Sequence, residues 1–133
     1  MKICVSATSN SLDSPIDPRF GRCPYLVIVD SENMQFEAVP NMASDATGGA
    51  GIQAAQTIAS KGAKVLITGD VGPNAFQALS AASIKIVTGA SGTIREVVEK
   101  YKRGELGETG APTVSGHFGM GRGRGRGRGQ WGT

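Results

Sequence analysis

The sequence predicts an α/β domain built on a five-stranded mixed β-sheet flanked by helices, with the element order β-β-β-α-β-α-β-α. Three strand-like stretches come first, and a regular alternation of helices and strands follows them. A meander of three strands followed by two α/β units indicates a mixed sheet with helices packed against it. The length of 133 residues fits one such domain and excludes a two-domain enzyme.

The strands are recognised by their apolar patterns. Lys2–Thr8 alternates apolar with small side chains, whereas Tyr25–Asp30 is continuously apolar, as in a strand buried on both faces. Met34–Val39 alternates again and predicts a hairpin partner for the second strand. Lys64–Thr68 and Ile84–Thr88 are the two remaining short strands.

Three helices are predicted between and after these strands. The first ends at Gly62, and the second begins at Pro73, where the missing N–H of proline costs nothing. The third begins at Thr93, which stands three residues before Glu96 in the spacing of a capping box, and it ends at Gly104.

The strand directions bring four loops to one edge of the sheet. Two hairpin reversals and right-handed crossovers make every strand except the second parallel to the first. The loops that leave the carboxyl ends of these parallel strands are Ser9–Cys23, Pro40–Gly51, Gly69–Pro73 and Gly89–Thr93. Open α/β sheets bind ligands at that edge, and we therefore look for functional residues in these loops.

Charge and composition exclude several classes of protein. Residues 1–110 carry ten basic and eleven acidic side chains, which gives no reason to expect a nucleic-acid groove. Aromatic residues make up only 5%, too few for a single-strand stacking platform. We expect no membrane span and no signal peptide, and the two cysteines predict a reduced, cytoplasmic setting.

The end of the chain changes composition. Gly119–Gly129 alternates glycine with arginine or methionine, and residues 111–133 carry four arginines and no acidic residue. Such a stretch has almost no apolar surface to offset the entropy of ordering. The sequence therefore predicts a domain over residues 1–105 and a flexible Gly/Arg-rich tail over residues 106–133.

The loop after the first strand carries the most informative residues. Arg19, Phe20, Gly21, Arg22 and Cys23 place two guanidinium groups and a thiol within five positions. Arginine forks bind anionic ligands, and a thiol beside them would have a lowered pKa and could ligate a soft metal. Alternatively, acidic residues of the same loop pair with the arginines, and the cysteine packs as a small apolar residue.

Two glycine-rich turns precede the first two helices. Gly48, Gly49 and Gly51 precede or open the first helix, and Gly69 and Gly72 flank Asp70 before the second. Bare N–H groups at helix N-termini attract anions, so these glycines are candidate binding residues. Equally, they could form tight turns that let the helices dock, and the Asp70 carboxylate could simply cap its helix.

The sole histidine, His117, stands in the tail. A lone histidine of this kind is usually solvated, although it could also serve as a metal ligand. The Gly-Arg repeat has three interpretations: it binds RNA electrostatically, it folds over a polyanionic ligand at the sheet edge, or it keeps the protein in solution.

Four segments together resemble one known family. They are Met1–Ser6, Asp17–Cys23, Gly48–Ala55 and Thr68–Phe76. In this order they are similar to the dinitrogenase iron–molybdenum cofactor biosynthesis family, the NifX/NafY-type domain that also forms the C-terminal domain of NifB. The resemblance covers about residues 1–105.

The resemblance implies a ribonuclease-H-like fold and a non-catalytic function: binding, carriage or assembly of an anionic metal–sulfur cluster. Nitrogenase-associated members bind the iron–molybdenum cofactor or its precursor, and a stand-alone member holds a molybdenum–copper sulfide cluster. Cluster donor or acceptor proteins would then be its partners. Nitrogenase-associated members commonly have histidine where this chain has Arg19, which suits ion pairing to a sulfido face better than direct ligation of iron or molybdenum.

Two other functions stay open at this point. The chain could be an RNA-binding protein that acts through its tail, or a regulatory domain that binds a nucleotide or phosphate through Gly48–Gly51. Catalysis is not expected, because no nucleophile, base and orienting residue can be grouped from the sequence.

Overall fold

A computed structural model, which describes residues 1–44 and 48–114, has the predicted order of elements over that part of the chain. Its strands are β1 (Lys2–Ala7), β2 (Tyr25–Asp30), β3 (Phe36–Pro40), β4 (Val65–Ile67) and β5 (Lys85–Val87), and its helices are α1 (Ala50–Ser60), α2 (Pro73–Ala81) and α3 (Ile94–Lys102). The predicted α/β architecture is confirmed.

The sheet has the order β3-β2-β1-β4-β5, with β1 at its centre. β2 is antiparallel to β1 and β3, whereas β1, β4 and β5 run parallel to one another. The mixed sheet and the shared edge for four loops are therefore confirmed. The ribonuclease-H-like assignment stays a prediction from the family resemblance.

Helices cover both faces of this sheet. Side chains of β1 alternate, so that Cys4 faces a core formed with α1 and α2, whereas Ile3 and Val5 face a core formed with α3. The capping box of α3 is present: the Thr93 side chain accepts from the Glu96 N–H, and the Glu96 carboxylate accepts from the Thr93 N–H. None of the helices in the described part of the chain is long and apolar enough to cross a membrane.

The third strand begins two residues later than the pattern predicts. Met34 has a positive φ of 61°, which keeps it in the turn after β2. A side chain in this left-handed conformation cannot continue an extended strand. The alternation of apolar residues does not reveal such a turn, so the boundary was predicted too early.

The loop between β1 and β2 is fixed to the sheet by buried polar groups. The Ser6 hydroxyl donates to the Asp17 carbonyl at 2.6 Å and shares a hydrogen bond of 2.6 Å with the Thr68 hydroxyl. The Asp70 N–H donates to the Pro18 carbonyl at 2.8 Å. A β-carbon on Gly69 would lie 2.6 Å from the Pro18 Cα, so only glycine allows this close approach.

Residues 105–114 are held against the domain, and we call them the C-terminal strap. The Thr109 N–H donates to the Ile86 carbonyl at 2.6 Å, and the Thr113 N–H donates to the Val71 carbonyl at 2.9 Å. Residues 106–114 of this strap belong to the tail predicted over residues 106–133, and that boundary stays a prediction. Residues 115–133 lie outside the described part of the chain.

We predict that replacing Gly69 with alanine destabilises the domain. The added methyl group would meet Pro18, and overpacking of this kind costs about 1–3 kcal/mol in free energy of unfolding. The matched control is Gly107→Ala, where no atom lies within 4 Å of the added carbon. Urea unfolding measures both variants, and equal transition midpoints would show that the loop can shift without cost.

Candidate anion-binding site

An open cavity of about 630 Å³ lies where three loops leave the parallel edge of the sheet. We call it the edge cavity. It is lined by Arg19, Phe20, Arg22, Gly49–Ile52, Asp70, Gly72–Ala75 and Val114. These residues follow β1, β3 and β4, with one residue from the C-terminal strap.

Two helices begin at this cavity. The N-caps of α1 and α2 are Gly49 and Gly72, so neither helix has a side-chain cap. Neither first turn contains an acidic residue. The first N–H groups of a helix have no partner within it, and the aligned peptide dipoles give that end roughly half a positive charge. Two such ends at one cavity attract an anion.

Arg19 is held by a carboxylate beneath it. Its Nε and Nη2 atoms donate to the two carboxylate oxygens of Asp17 at 3.0 and 2.8 Å, and its backbone N–H donates to the same group at 2.9 Å. The Asp17 side chain is 3% exposed and that of Arg19 is 64% exposed. The Asp17 carboxylate therefore fixes the orientation of the guanidinium, which faces solvent.

The pKa of Asp17 reflects two opposing effects. Burial raises the pKa of this carboxyl, but the hydrogen bonds and the charge of Arg19 outweigh burial and hold the pKa below its ordinary value. Asp17 is therefore charged at neutral pH. The sequence left open whether the loop's arginines pair with its acidic residues or bind a ligand, and for Arg19 the pairing is present.

Arg22 belongs to the same loop and contacts another segment of the chain. Its Nη1 donates to the Ser44 carbonyl at 3.1 Å, and its side chain also lines the edge cavity. Ser44 belongs to the loop between β3 and α1. Arg22 thus connects two of the loops that surround the cavity and adds a second positive charge to it.

The predicted glycines fall into two groups. Gly49, Gly51 and Gly72 line the cavity, whereas Gly21, Gly48 and Gly69 do not. Gly21 has φ 97°, and a β-carbon there would come within 3.0 Å of the Gly51 backbone. A β-carbon on Gly51 would in turn lie 2.8 Å from the Ala75 Cβ. Several of these glycines therefore bring the loop and the two helices close together, in addition to any contact with a ligand.

Of the two alternatives for Cys23, the structure has the one in which the side chain packs as a small apolar residue. It is fully buried, it does not line the cavity, and its burial raises the pKa of the thiol to about 11. The expected lowering of this pKa is wrong, because the neighbouring arginines point to solvent while the thiol lies in the core. Asn41 fixes this position by donating to the Gly21 and Cys23 carbonyls at 3.0 and 2.9 Å. Cys4 is likewise buried, and desolvation raises its pKa.

Metal-binding residues are not brought together in the described part of the chain. Over residues 1–44 and 48–114, no three His, Cys, Asp or Glu side chains are grouped as a metal site. His117 lies outside these residues, so its proposed role as a ligand stays a prediction.

Asp70 lines the cavity, and because Gly72 is the N-cap of α2 the carboxylate does not cap that helix.

Sequence reasoning missed several contributors to this site, including Ile52 and Ala75 in the first turns of the two helices. Two others lie outside the helices. Val114 lines the cavity from the C-terminal strap, and Asn41 holds the loop that carries the arginines. The strap is held by hydrogen bonds of threonine hydroxyls and backbone groups. Contacts of this kind produce no periodic apolar pattern, so the sequence does not predict them. Asn41 directly follows β3, at the edge where open α/β sheets bind ligands. Its position at the end of that strand could have identified it from the sequence.

Comparison with known proteins shows close structural relatives. The apo form of the orange protein from Desulfovibrio gigas superposes with a TM-score of 0.82 and 44% identity, over 84% of this chain and 95% of that chain. A candidate NifB protein from Thermotoga gives a TM-score of 0.71 and 34% identity, over 80% and 91% of the two chains. An uncharacterized protein of Methanocaldococcus jannaschii is 29% identical over 109 residues, 80% of this chain and 89% of its own length.

The family comparison covers most of the chain. Residues 1–104 match the model of the family described as dinitrogenase iron-molybdenum cofactor. This range holds all five strands, all three helices and, apart from Val114, every described residue that lines the edge cavity. The resemblance seen in the four sequence segments is thereby confirmed, and the chain belongs to the dinitrogenase iron-molybdenum cofactor family.

Proposed function

We propose that this protein binds and carries an anionic metal–sulfur cluster in the edge cavity, without catalysing a reaction. The observation that supports this most directly is the meeting of two helix N-termini and two guanidinium groups at one open cavity. The cargo would be similar to the iron–molybdenum cofactor or another molybdenum-containing cluster, as membership of the family suggests.

The composition of the cavity wall favours a metal–sulfur anion over a phosphate. Phe20, Ile52, Ala75 and Val114 supply apolar surface between the N–H and guanidinium donors. A sulfido cluster is bulky and polarisable, so it suits apolar walls combined with weakly hydrated guanidinium groups. A phosphate is small and strongly hydrated, and it would leave much of a cavity of about 630 Å³ unfilled.

The lining side chains favour carriage over catalysis. Asp70 supplies the one carboxylate among the described lining residues, and no histidine, cysteine, lysine or serine is found among them. A nucleophile with its base therefore cannot be assembled from these groups. Backbone N–H donors and guanidinium groups can hold a charged group in place, which is what a carrier needs.

The openness of the site suits transfer between proteins. The cavity is formed by exposed loops at one edge of the sheet, so a cluster held there by ionic contacts can leave without unfolding of the domain. We propose that cluster donor and acceptor proteins meet the protein at this edge.

Metal content tests the proposal directly. The protein is expressed and purified without oxygen from cells supplied with molybdate and iron, and its molybdenum, iron and copper are measured. In parallel, the metal-free protein is dialysed against tetrathiomolybdate, a soluble molybdenum–sulfide anion, with molybdate, phosphate and ATP as competitors. Bound metal together with uptake of the sulfide anion supports the proposal. Absence of both, or tighter binding of phosphate or ATP, contradicts it.

We predict that Arg19→Gln weakens tetrathiomolybdate binding by at least about ten-fold, because a charge-assisted hydrogen bond contributes about 1.5–3 kcal/mol. Arg19→Lys keeps the charge but loses the fork, and we expect an intermediate loss. The control is Arg103→Gln, which removes an exposed arginine that is paired with Glu105 and does not line the cavity. Equilibrium dialysis measures all three, and equal losses for Arg19→Gln and Arg103→Gln would indicate a general charge effect.

The pH dependence of binding tests the role of Cys23. A thiol must lose its proton to ligate a metal, and with a pKa of about 11 its thiolate fraction rises about ten-fold for each pH unit below that value. Ligation by Cys23 would therefore strengthen binding about a hundred-fold between about pH 7 and about pH 9. We predict instead that the affinity for tetrathiomolybdate changes less than about three-fold over this range.

Cys23→Ala provides the companion measurement. The variant leaves the cavity lining unchanged, so we expect binding within about two-fold of the parent protein even if the buried substitution lowers the unfolding temperature. A folded variant that binds no tetrathiomolybdate would make Cys23 a ligand and would contradict non-covalent carriage.

A further inference from the structure

We propose that Val114, positioned by Thr113, makes the edge cavity select sulfide anions over oxide anions. This inference rests on the proposed function, because it assigns the selectivity of that same site to two residues of the C-terminal strap. Three observations support it: the hydrogen bonds that anchor the strap, the place of Val114 beside the start of α2, and the apolar surface of the cavity wall.

The C-terminal strap is anchored at two points. Beside β5, the Thr109 hydroxyl accepts from the Thr88 N–H at 3.1 Å and shares a hydrogen bond of 2.7 Å with the Thr88 hydroxyl. Before α2, the Thr113 hydroxyl accepts from the Val71 N–H at 2.8 Å, and the Thr113 N–H donates to the Val71 carbonyl at 2.9 Å. These bonds fix the strap on both sides of residues 110–112, so the residue that follows Thr113 has a defined position.

Thr113 attaches the strap to a buried residue. Val71 is 1% exposed, and it packs in the core that α1 and α2 form with the sheet. Both of its backbone polar groups are paired with Thr113. Without the threonine hydroxyl, the Val71 N–H would lose this acceptor, and a buried N–H without an acceptor costs free energy. Thr113 is therefore a positioning residue for the part of the strap that reaches the cavity.

Val114 lies beside the N-terminus of α2. It is half-buried and lines the cavity, and its Cγ2 lies 3.8 Å from the place that a β-carbon on Gly72 would occupy. Gly72 is the N-cap of α2, and the first N–H groups of a helix have no acceptor within it. An anion that binds these N–H groups would therefore lie against the methyl groups of Val114.

Few apolar side chains of the cavity wall are open to a ligand. Phe20 and Ala75 line the cavity but are buried, with 9% and 6% of their surface exposed. Ile52, Pro73 and Val114 are half-buried and line the same cavity. Ile52 and Pro73 belong to the first turns of α1 and α2, so the helices set their positions. The position of Val114 depends instead on the strap.

Sulfide and oxide anions respond differently to an apolar wall. Tetrathiomolybdate and molybdate carry the same charge on the same tetrahedral frame, so helix N-termini and guanidinium groups attract both. Oxide oxygens accept strong hydrogen bonds, and a methyl group beside them removes water without replacing its hydrogen bonds. Sulfur is larger, more polarisable and more weakly hydrated, so the same methyl group costs it less and adds dispersion contacts. The apolar wall, rather than the charge, therefore decides between the two anions.

The first test replaces Val114 with threonine, which has nearly the same shape and exchanges one methyl group for a hydroxyl. Equilibrium dialysis of the full chain measures the affinities for tetrathiomolybdate and for molybdate, and their ratio is the selectivity. We expect Val114→Thr to lower this ratio about four-fold, the effect of one methyl group in an apolar contact. The matched control is Val39→Thr, at a half-buried valine that does not line the cavity, and its ratio should stay within about two-fold of the parent ratio.

The second test separates positioning by Thr113 from its contribution to stability. Thr113→Val keeps the shape but removes the acceptor of the Val71 N–H, so we expect the ratio to fall about as far as in Val114→Thr. Thr113→Ser keeps the hydroxyl and should restore the parent ratio. Thermal unfolding of both variants is measured separately, because a merely structural role would lower the unfolding temperature and leave the ratio unchanged.

The outcomes separate this inference from the proposed function. If the parent protein binds tetrathiomolybdate and Val114→Thr keeps the parent ratio, the inference is wrong and the carrier function stands. An equal affinity of the parent for both anions, or an equal loss of both in Val114→Thr, would also overturn the selectivity. A folded Thr113→Val variant with the parent ratio would remove the positioning role. If the parent binds neither anion, both proposals fail.

Discussion

The geometry of this protein depends on the contact between the loop after β1 and the end of β4. Ser6 in β1 and Thr68, which directly follows β4, share a buried hydrogen bond, and the Ser6 hydroxyl also donates to the Asp17 carbonyl. Because Gly69 has no side chain, Pro18 can lie directly against β4. This contact places Arg19 beside the start of α2, at the cavity where α1 also begins. Without it, the two guanidinium groups and the two helix N-termini would not meet.

The pairing of Arg19 with Asp17 lowers the net positive charge of the site but fixes the conformation of the arginine side chain. A free arginine would add a full positive charge, but its long side chain would lose entropy on binding a ligand. The buried carboxylate cancels much of that charge and fixes the plane of the fork before any ligand arrives. Under the proposed function, pre-organisation of this kind would favour an anion of one shape over others, since a misplaced anion cannot reorient the guanidinium toward itself.

The sequence predicts the elements well, because their signals are local. The periodicity of the strands, Pro73 at the start of α2 and the capping box at Thr93 act through neighbouring residues and survive in the structure. The roles of Cys23 and the glycines depend on which distant segment lies beside them, and no local pattern contains that information. Cys23 stands next to an arginine in sequence, yet it lies in the core while the arginine faces solvent.

If the edge cavity binds an anion as proposed, its backbone and its side chains would contribute to binding in different ways. The N–H groups of α1 and α2 belong to the backbone, so almost any sequence that forms these helices provides an attraction for negative charge. Under the proposed function, discrimination between anions would fall to the few side chains that line the cavity and to the described residues 105–114, which lie beyond the match to the family. In this protein those parts are Arg19, Arg22 and a strap that ends at the cavity with Val114. Changes in such surface segments leave the core packing intact, so under the proposed function the choice of anion could vary there without loss of the fold.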